Sequence, residues 1–324
     1  MNLRLLLNFI AIVERGSVSL AAQSIGVTQQ SLRAQVAVLE VELGAFLLHR
    51  SSRGVKTTDA GQILYRHARS IVQQLEIARD DVRRSGDIVY GTVVVGMAAS
   101  SAEMLAVPLL QRLRSEFPGI RVQIAIHPSQ HLEDLLLSGR VDLALSFVGR
   151  SGSAAKTRLV AQEELYFVSS CSNVAWEHCE SAVDIRDIAT VPLLMPARPH
   201  SVRLIVDDAA LEQRTSLNII AELNSSPLLL DAVMSGLGST VLPWSGLTNY
   251  RALSKLHVLP FKEPVKRKLG FSFSRVLPPT KPAQIVEGLL DEMISAFCDS
   301  GGWRGVHRLC AQARYGDLVM QHAL

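Results

Sequence analysis

The sequence predicts an α/β protein with an amino-terminal winged helix-turn-helix, a long linker helix and a two-lobed α/β domain. Short amphipathic segments separated by glycine fill residues 1–58, and apolar residues recur at alternating spacings of four and three within 59–88. Strands then alternate with helices through 89–300. With 324 residues, 48% of them apolar, the chain exceeds what one hydrophobic core usually spans, so several domains are expected.

Residues 21–32 predict two helices that cross at a tight turn. Ala22 is small enough to lie where the helix axes come closest, Gly26 can adopt the positive φ that ends the first helix, and Thr28 can cap the second. Apolar residues continue at helical spacing on the inner face: Val27, Leu32, Val36 and Leu39. The alternative is an alanine-rich helical bundle without a DNA-reading role.

Long amide and guanidinium side chains occupy the opposite face of the second helix, which favours contacts with base edges in a major groove. The residues predicted to read bases are Gln29, Gln30, Arg33 and Gln35. A basic hairpin follows at 49–56 and is predicted to be a wing that contacts phosphates. The residues predicted to contact the DNA backbone are Thr28, Ser31, Arg50, Arg53 and Lys56.

The charge distribution agrees with a DNA-binding amino-terminal part. Residues 1–90 contain 11 Lys and Arg side chains and 8 Asp and Glu side chains, whereas residues 91–324 contain 22 of each. The whole net charge of +3 therefore lies in the amino-terminal part. Such a modest excess fits a module that neutralises a few phosphates.

The amino-terminal pattern resembles that of the LysR-type bacterial transcriptional regulators. The matching residues are Phe9, Gly16-Ser17, Ala21-Ala22, Val27-Thr28-Gln29, Leu39-Glu40, Leu43-Gly44, Leu47, Arg50 and Thr58-Asp59-Ala60-Gly61. Within the family, residues 60–69 look closest to regulators of the nitrogen-assimilation-control type. The chain departs from the family pattern at Gln30, where proline is usual, and at Arg33-Ala34, where Ser-Arg is usual.

The linker helix carries a narrow apolar stripe typical of a coiled-coil seam. The residues predicted to form it are Leu64, Ala68, Ile71, Leu75, Ala78 and Val82. A helix packed only on its own domain is the alternative. A stripe on a helix between two domains favours pairing with a second copy, which places two recognition helices for successive half-sites. We expect a homodimer, or a homotetramer built from such pairs.

Residues 91–300 alternate between strands and helices in a parallel α/β pattern. The expected strands are 92–97, 120–126, 141–147, 165–169, 191–195, 217–222, 239–242 and 269–274, with helices at 103–116, 132–137, after Ser201, after Ser226 and at 282–297. The first lobe is expected at about 91–160 and 266–300, and the second at about 161–265. The family resemblance implies a periplasmic-binding-protein-like domain that binds a small-molecule effector between two lobes joined by two strands.

Hydroxyl side chains follow strands or precede helices at several places in this domain, where helix amino termini present free N–H groups. The residues predicted to line the effector cleft are Ser100, Ser101, Ser129, Gln130, Phe147, Ser201, Ser225 and Ser226. Each serine could instead be only a helix cap. The helix dipoles favour a small, negatively charged effector, although a neutral one fits the same pattern.

The sequence predicts neither a metal site nor an enzyme. The four cysteines lack CxxC pairs, and a redox sensor built on Cys171 and Cys179 would need more basic surroundings. His127 and His131 are separated by Pro128, without the further ligands that a metal site needs. Neither a catalytic triad nor a phosphate-binding loop occurs in a credible context, so no cofactor is expected.

The expected function is sequence-specific DNA binding controlled by an effector, with double-stranded promoter DNA as the partner and RNA polymerase as a further candidate partner. Asn8 interrupts the first apolar run, which argues against a secretory signal, and no apolar stretch has the length of a membrane span. The protein is therefore expected to be cytoplasmic and associated with the nucleoid. The competing classes are a constitutive regulator of the same fold without a ligand and a cytoplasmic solute-binding protein. Residues 301–324 are expected to form a short added helix or a disordered tail.

Overall fold

The structure is a computed structural model, and it describes residues 1–51, 54–83, 89–148, 156–173, 182–274 and 279–309. The chain divides into two units. The amino-terminal unit comprises Met1–Ile88 with Leu137–Arg140, and the carboxy-terminal unit comprises Val89–Leu136 with Val141–Leu324. Among the described residues, no helix is both long enough and apolar enough to cross a membrane.

The amino-terminal unit is a three-helix core followed by a hairpin and a long helix. Its elements are α1 (Leu3–Arg15), α2 (Val18–Ile25), α3 (Gln29–Leu43), β1 (Leu48–Ser51), β2 (Gly54–Thr57) and α4 (Asp59–Arg83). The predicted turn is confirmed, since Gly26 ends α2 with a φ of 77° and the Thr28 hydroxyl accepts a hydrogen bond from the Ser31 amide at 3.1 Å. Ala22, Leu32, Val36 and Leu39 are buried, as the apolar spacing predicts.

The hairpin and α4 are attached to this core by backbone contacts. The Val55 amide donates to the Gly16 carbonyl at 2.9 Å, which ties β2 to the turn between α1 and α2. At the start of α4, a Cβ at Gly61 would collide with the carbonyl oxygen of Leu47, so only glycine fits there. The start of α4 therefore packs closely against the chain that enters β1.

Two residues assigned to the dimer seam belong instead to the core of this unit. Leu64 is 9% exposed and Ala68 is fully buried, and both pack in the cluster that contains Phe9 and Tyr65. Spacing alone could not separate them from the rest of the stripe, because the first half of α4 covers its own domain. Farther along α4, Ile71 and Ala78 are exposed and Leu75 is half-buried. The Val82 side chain lies outside the described residues.

The first lobe of the carboxy-terminal unit is built on a mixed sheet. Its consecutive elements are β3 (Gly91–Met97), α5 (Ala99–Glu116), β4 (Ile120–Ile126), α6 (Ser129–Leu137), β5 (Leu143–Val148) and β6 (Lys156–Ser170). β3 pairs in parallel with β4 and β5, as the sequence predicts. β6 is much longer than the predicted strand 165–169, and its first half belongs to this lobe.

The second lobe contains the middle of the chain. Its elements are α7 (Ile185–Ala189), β7 (Leu193–Met195), α8 (Ser201–Glu212), β8 (Ile219–Glu222), α9 (Ser226–Met234), β9 (Thr240–Pro243) and β10 (Leu256–Pro260). β9 and β10 both pair antiparallel with the second half of β6, whereas β7 and β8 form a separate parallel pair.

Two strands connect the lobes. β6 leads from the first lobe into the second, and β11 (Lys266–Phe273) returns beside it, antiparallel to both β5 and β6. α10 (Lys281–Ser300) then packs on the first lobe, where Val286 and Leu290 join the core formed with Val95 and Phe271. The predicted two-strand connection is confirmed, and because β6 and β11 run antiparallel to each other, the sheet is mixed and not fully parallel.

The segment after α10 departs from the expectation of an added helix or a disordered tail. Trp303 is 1% exposed in the core of the first lobe, and β12 (Val306–Arg308) pairs antiparallel with β6. Burial of a large indole and new strand pairing explain why residues 301–309 are ordered. Residues 310–324 lie outside the described residues.

Candidate nucleic-acid interface and ligand cleft

The exposed face of α3 carries long polar side chains near its start and a small one farther along. Gln30, Arg33 and Ala37 are exposed at spacings of three and four residues, opposite the buried apolar side chains of the same helix. Gln29 is also exposed, and its amide nitrogen lies 3.0 Å from the Ser19 hydroxyl of α2. A search for polar contact residues does not find Ala37, although its position seven residues after Gln30 places it on this face.

The environment of Gln35 does not fit the prediction that this residue reads bases. Its side chain is half-buried, its oxygen accepts a hydrogen bond from the buried Asn8 amide, and its nitrogen donates to the Ser31 hydroxyl at 3.2 Å. These bonds hold α3 against α1 and leave Gln35 little freedom to contact DNA. The sequence could not reveal this, because the partner on α1 is distant along the chain.

The hairpin has the geometry of a wing. β1 and β2 pair from Leu48 with Thr57 to Ser51 with Gly54, and Lys56 is exposed on β2. Arg53 lies outside the described residues, as does the side chain of Arg50. The amino-terminal unit therefore presents an exposed helix face with amide and guanidinium groups and a hairpin with a basic side chain, which suits a major groove and an adjacent phosphate backbone.

A cavity of about 620 Å³ lies between the two lobes of the carboxy-terminal unit. Seven of the eight predicted residues line it: Ser100, Ser129, Gln130, Phe147, Ser201, Ser225 and Ser226. The exception is Ser101, which is fully buried within α5 and donates from its hydroxyl to the Ala98 carbonyl at 2.8 Å. Consecutive residues of a helix do not share one face, so Ser100 faces the cavity and Ser101 does not.

Helix amino termini from both lobes begin at this cavity. α5 and α6 start there in the first lobe, and α8 and α9 start there in the second. The start of α5 has no side-chain cap, whereas the Ser225 hydroxyl caps α9 by accepting from the Leu228 amide at 3.5 Å. Ser129 accepts from the Phe147 amide at 3.2 Å, which leaves its hydroxyl proton available. Such an arrangement favours a bound anion.

Arg267 on β11 is the main cleft residue that the sequence pattern does not indicate. Its side chain is 2% exposed, and it donates to Glu163 on β6 and to Ser100. Burial lowers the pKa of the guanidinium, and the adjacent Glu163 carboxylate opposes that shift. The run of three basic residues immediately before the predicted strand 269–274 was the available signal, but it gave no indication of burial.

Two further ionisable groups line the cavity. His200 caps α8 by accepting from the Val202 amide at 3.3 Å, and burial, followed by the charge of Arg267, lowers its pKa to about 4. Burial also raises the pKa of Glu103. At neutral pH His200 is therefore uncharged, so Arg267 supplies the buried positive charge beside it.

The two cleft histidines are arranged as neighbouring rings. The His127 and His131 ring centres lie 4.9 Å apart with an edge-on orientation. Across the described ranges, no group of three or more His, Cys, Asp or Glu side chains is arranged to hold a metal ion. Cys171 is exposed as a free thiol, while Cys179 lies outside the described residues.

A winged helix-turn-helix together with a two-lobed domain around a polar cleft defines a ligand-responsive DNA-binding regulator. Residues 3–62 match the model of the bacterial regulatory helix-turn-helix protein, lysR family, and residues 89–293 match that of the LysR substrate binding domain. The chain belongs to the LysR family of transcriptional regulators. Membership confirms the resemblance, the fold class, DNA binding as the function, and the expectation that the protein is not an enzyme.

Regulators of nitrogen assimilation are among its relatives. The nitrogen assimilation regulatory protein nac of Klebsiella aerogenes is 37% identical over 247 residues, which cover 76% of this chain and 79% of that protein. The nac protein of Escherichia coli is 36% identical over the same length. The transcriptional dual regulator OxyR of Escherichia coli is 26% identical over 300 residues, covering 92% of this chain and 96% of OxyR.

Solved structures of full-length regulators share the fold. A cysteine-substituted variant of full-length OxyR from Pseudomonas aeruginosa superposes with a TM-score of 0.77 and 21% identity, over 97% of this chain and 99% of that one. CbnR in complex with its target DNA superposes with a TM-score of 0.62 and 21% identity, over 91% of this chain and 99% of CbnR.

Proposed function

We propose that α3 reads base edges with Gln29, Gln30 and Arg33, while the hairpin and the start of α3 contact the DNA backbone. The observation that carries this proposal is the exposure of Gln30, Arg33 and Ala37 on a helix whose opposite face is buried. Glutamine can pair with adenine and arginine with guanine through two hydrogen bonds each, and an alanine methyl can contact the methyl group of thymine. Backbone contacts come from Thr28, Ser31, Arg50, Arg53 and Lys56.

The protein acts as a homodimer whose two α3 helices bind successive half-sites. The exposed part of the α4 stripe supports pairing, because Ile71 is 43% exposed and Ala78 and Leu75 follow at the same spacing. Pairs of dimers give a homotetramer. An apolar stripe that stays exposed on a charged helix is stabilised by burial against a second copy.

The cleft binds a small anion as the effector. The cavity of about 620 Å³ falls within the range typical of small-molecule sites, and the uncapped start of α5 and the buried Arg267 favour negative charge. Closure of the lobes around the anion changes the surface that this unit offers to its copies. The dimer then bends or spaces its bound DNA differently.

Selection of bound genomic fragments tests both halves of the proposal. The genes beside the bound site indicate which small metabolites to try, and each is added to the protein–DNA complex in a gel shift at constant salt. We expect an anionic metabolite to change the mobility of the complex, while its uncharged amide has no effect. A complex unchanged by every anion, including those made or consumed by the neighbouring gene products, would support a constitutive regulator of the same fold.

A further inference from the structure

A buried ion pair with two additional donors lies where the lobes are joined. Oε2 of Glu163 accepts two hydrogen bonds from Arg267, one from Nε at 2.8 Å and one from Nη2 at 2.6 Å. Oε1 accepts from the Ser245 hydroxyl at 2.6 Å and from the Trp303 indole nitrogen at 2.7 Å. Glu163 and Ser245 are fully buried, and Trp303 and Arg267 are 1% and 2% exposed. Both carboxylate oxygens are thus fixed by donors from separate parts of the chain.

Arg267 connects this cluster to the cleft. Its Nη2 also donates to the Ser100 hydroxyl at 2.7 Å, and its guanidinium carbon lies 3.3 Å from the centre of the Phe147 ring. Arg267, Ser100 and Phe147 all line the cavity. Within the described part of the chain, Nη1 of Arg267 makes no hydrogen bond. A buried guanidinium with one free edge is a strong donor to an oxyanion.

Trp303 reaches the cluster from outside the region that matches the family models. The matched residues end at 293, and Trp303 follows the end of α10 at Ser300. The next residue, Arg304, lies over the Trp244 ring of the second lobe at 4.5 Å. The segment therefore contacts the core of the first lobe through one side chain and the second lobe through the next.

We propose that Trp303 is a positioning residue for anion binding. Its indole N–H holds the Glu163 carboxylate in place. Arg267 therefore stays against Ser100 and Phe147, with its Nη1 directed to an oxyanion in the cleft. The inference rests on the proposed effector cleft and adds the chemistry of its anchor. Without the indole donor, Oε1 of Glu163 keeps only the hydrogen bond from the Ser245 hydroxyl, and the Glu163 carboxylate can turn toward Nη1 of Arg267. The carboxylate then competes with the ligand for the Arg267 guanidinium.

Calorimetric titration of the full chain tests this inference. The anions are sulfate, phosphate, succinate and benzoate, and benzamide is the uncharged counterpart of benzoate. Trp303→Phe keeps an aromatic ring and removes the N–H. Val306→Ala is the matched control, because it removes buried apolar volume from the same segment and leaves every side-chain donor to Glu163 in place. We expect Trp303→Phe to lower the affinity for the anion by about threefold to tenfold, and Val306→Ala to lower it by less than about twofold.

A double-mutant cycle separates positioning from general loosening of the fold. Glu163→Gln removes the competing charge, so Trp303→Phe should have no further effect on anion affinity in that background. Equal weakening by Trp303→Phe in both backgrounds, or by Val306→Ala, overturns the proposal. Crystal structures of the variants without ligand give a second readout: Arg267 should leave Ser100 in Trp303→Phe and stay in Val306→Ala.

The two readouts distinguish the inference from the function on which it rests. An unmoved Arg267 in Trp303→Phe overturns the positioning role, whatever the titrations give. If Arg267 moves and none of the four anions binds the unaltered chain, the positioning of Arg267 is supported and its role as an anchor for these anions is overturned.

Discussion

The side-chain amide of Asn8 on α1 donates a hydrogen bond to the side-chain oxygen of Gln35 on α3. Asn8 is 4% exposed, so this bond satisfies a polar group inside the apolar core of the amino-terminal unit. Gln35 in turn donates to Ser31, one turn earlier on α3. The pair holds α3 against α1, so this core contact supports the face of α3 that is proposed to read DNA.

Replacement of Asn8 by Ala should destabilise the amino-terminal unit. The change leaves the Gln35 oxygen without its donor in a partly buried position, which costs about 1–3 kcal/mol. Urea denaturation of the full chain, followed by circular dichroism, measures the loss. Gln30→Ala, on the exposed face of α3, is the control and should stay within about 0.5 kcal/mol of the unaltered chain. Equal stability of both variants would show that the Asn8 contact contributes nothing.

Arg33→Ala and Lys56→Ala should weaken DNA binding in different ways. Loss of a guanidinium that pairs with a base costs about 1–3 kcal/mol on the preferred site and relaxes the preference at that position. Loss of a phosphate contact should weaken binding to all sequences. It should also lower the slope of log affinity against log salt concentration by about 1. Fluorescence anisotropy on a selected site and on a scrambled one, across a salt series, distinguishes them. Our contact assignment fails if Arg33→Ala affects both duplexes alike.

The two ends of the α4 stripe should respond differently to substitution. Ile71→Glu places a charge on the exposed seam, so the chain should become monomeric at concentrations where the unaltered chain is a dimer. Leu64→Ala should leave the dimer intact and lower stability by about 2–5 kcal/mol, because it leaves a cavity in the core of its own unit. Sedimentation velocity and urea denaturation give the two readouts. A dimer that survives Ile71→Glu would place the interface elsewhere.

Acid should destabilise the second lobe through His200. Its pKa falls from 6.5 to about 4 on folding, first because of burial and then because of the Arg267 charge. Between these pH values the unfolded chain binds the extra proton, so stability falls as the pH is lowered through this window and the loss is complete below pH 4. The contribution is on the order of 3 kcal/mol.

His200→Asn tests the acid response because asparagine can keep the helix cap without titrating. Denaturation at pH values from 7 to 4 should show a smaller loss of stability for this variant than for the unaltered chain. The same loss in both proteins would assign the acid sensitivity to other groups.

The sequence predicted the elements that depend on local pattern. Gly26 and Thr28 marked the tight turn, and the serines that begin helices marked the cleft, because caps and turns are set by neighbouring residues. Contacts between distant residues were not predictable in this way. The burial of Leu64, the Asn8 bond to Gln35, and the meeting of Glu163, Arg267 and Trp303 all depend on how separate segments pack.

DNA reading by α3 is tested most directly by selecting duplex DNA with the full chain in dilute buffer and measuring affinity at about 50 mM and about 200 mM salt. A dimer should enrich sites with two half-sites about one helical turn apart, or a multiple of that spacing, and its affinity should fall steeply with salt. A chain that stays monomeric and enriches no sequence at low salt would contradict the claim that α3 reads DNA.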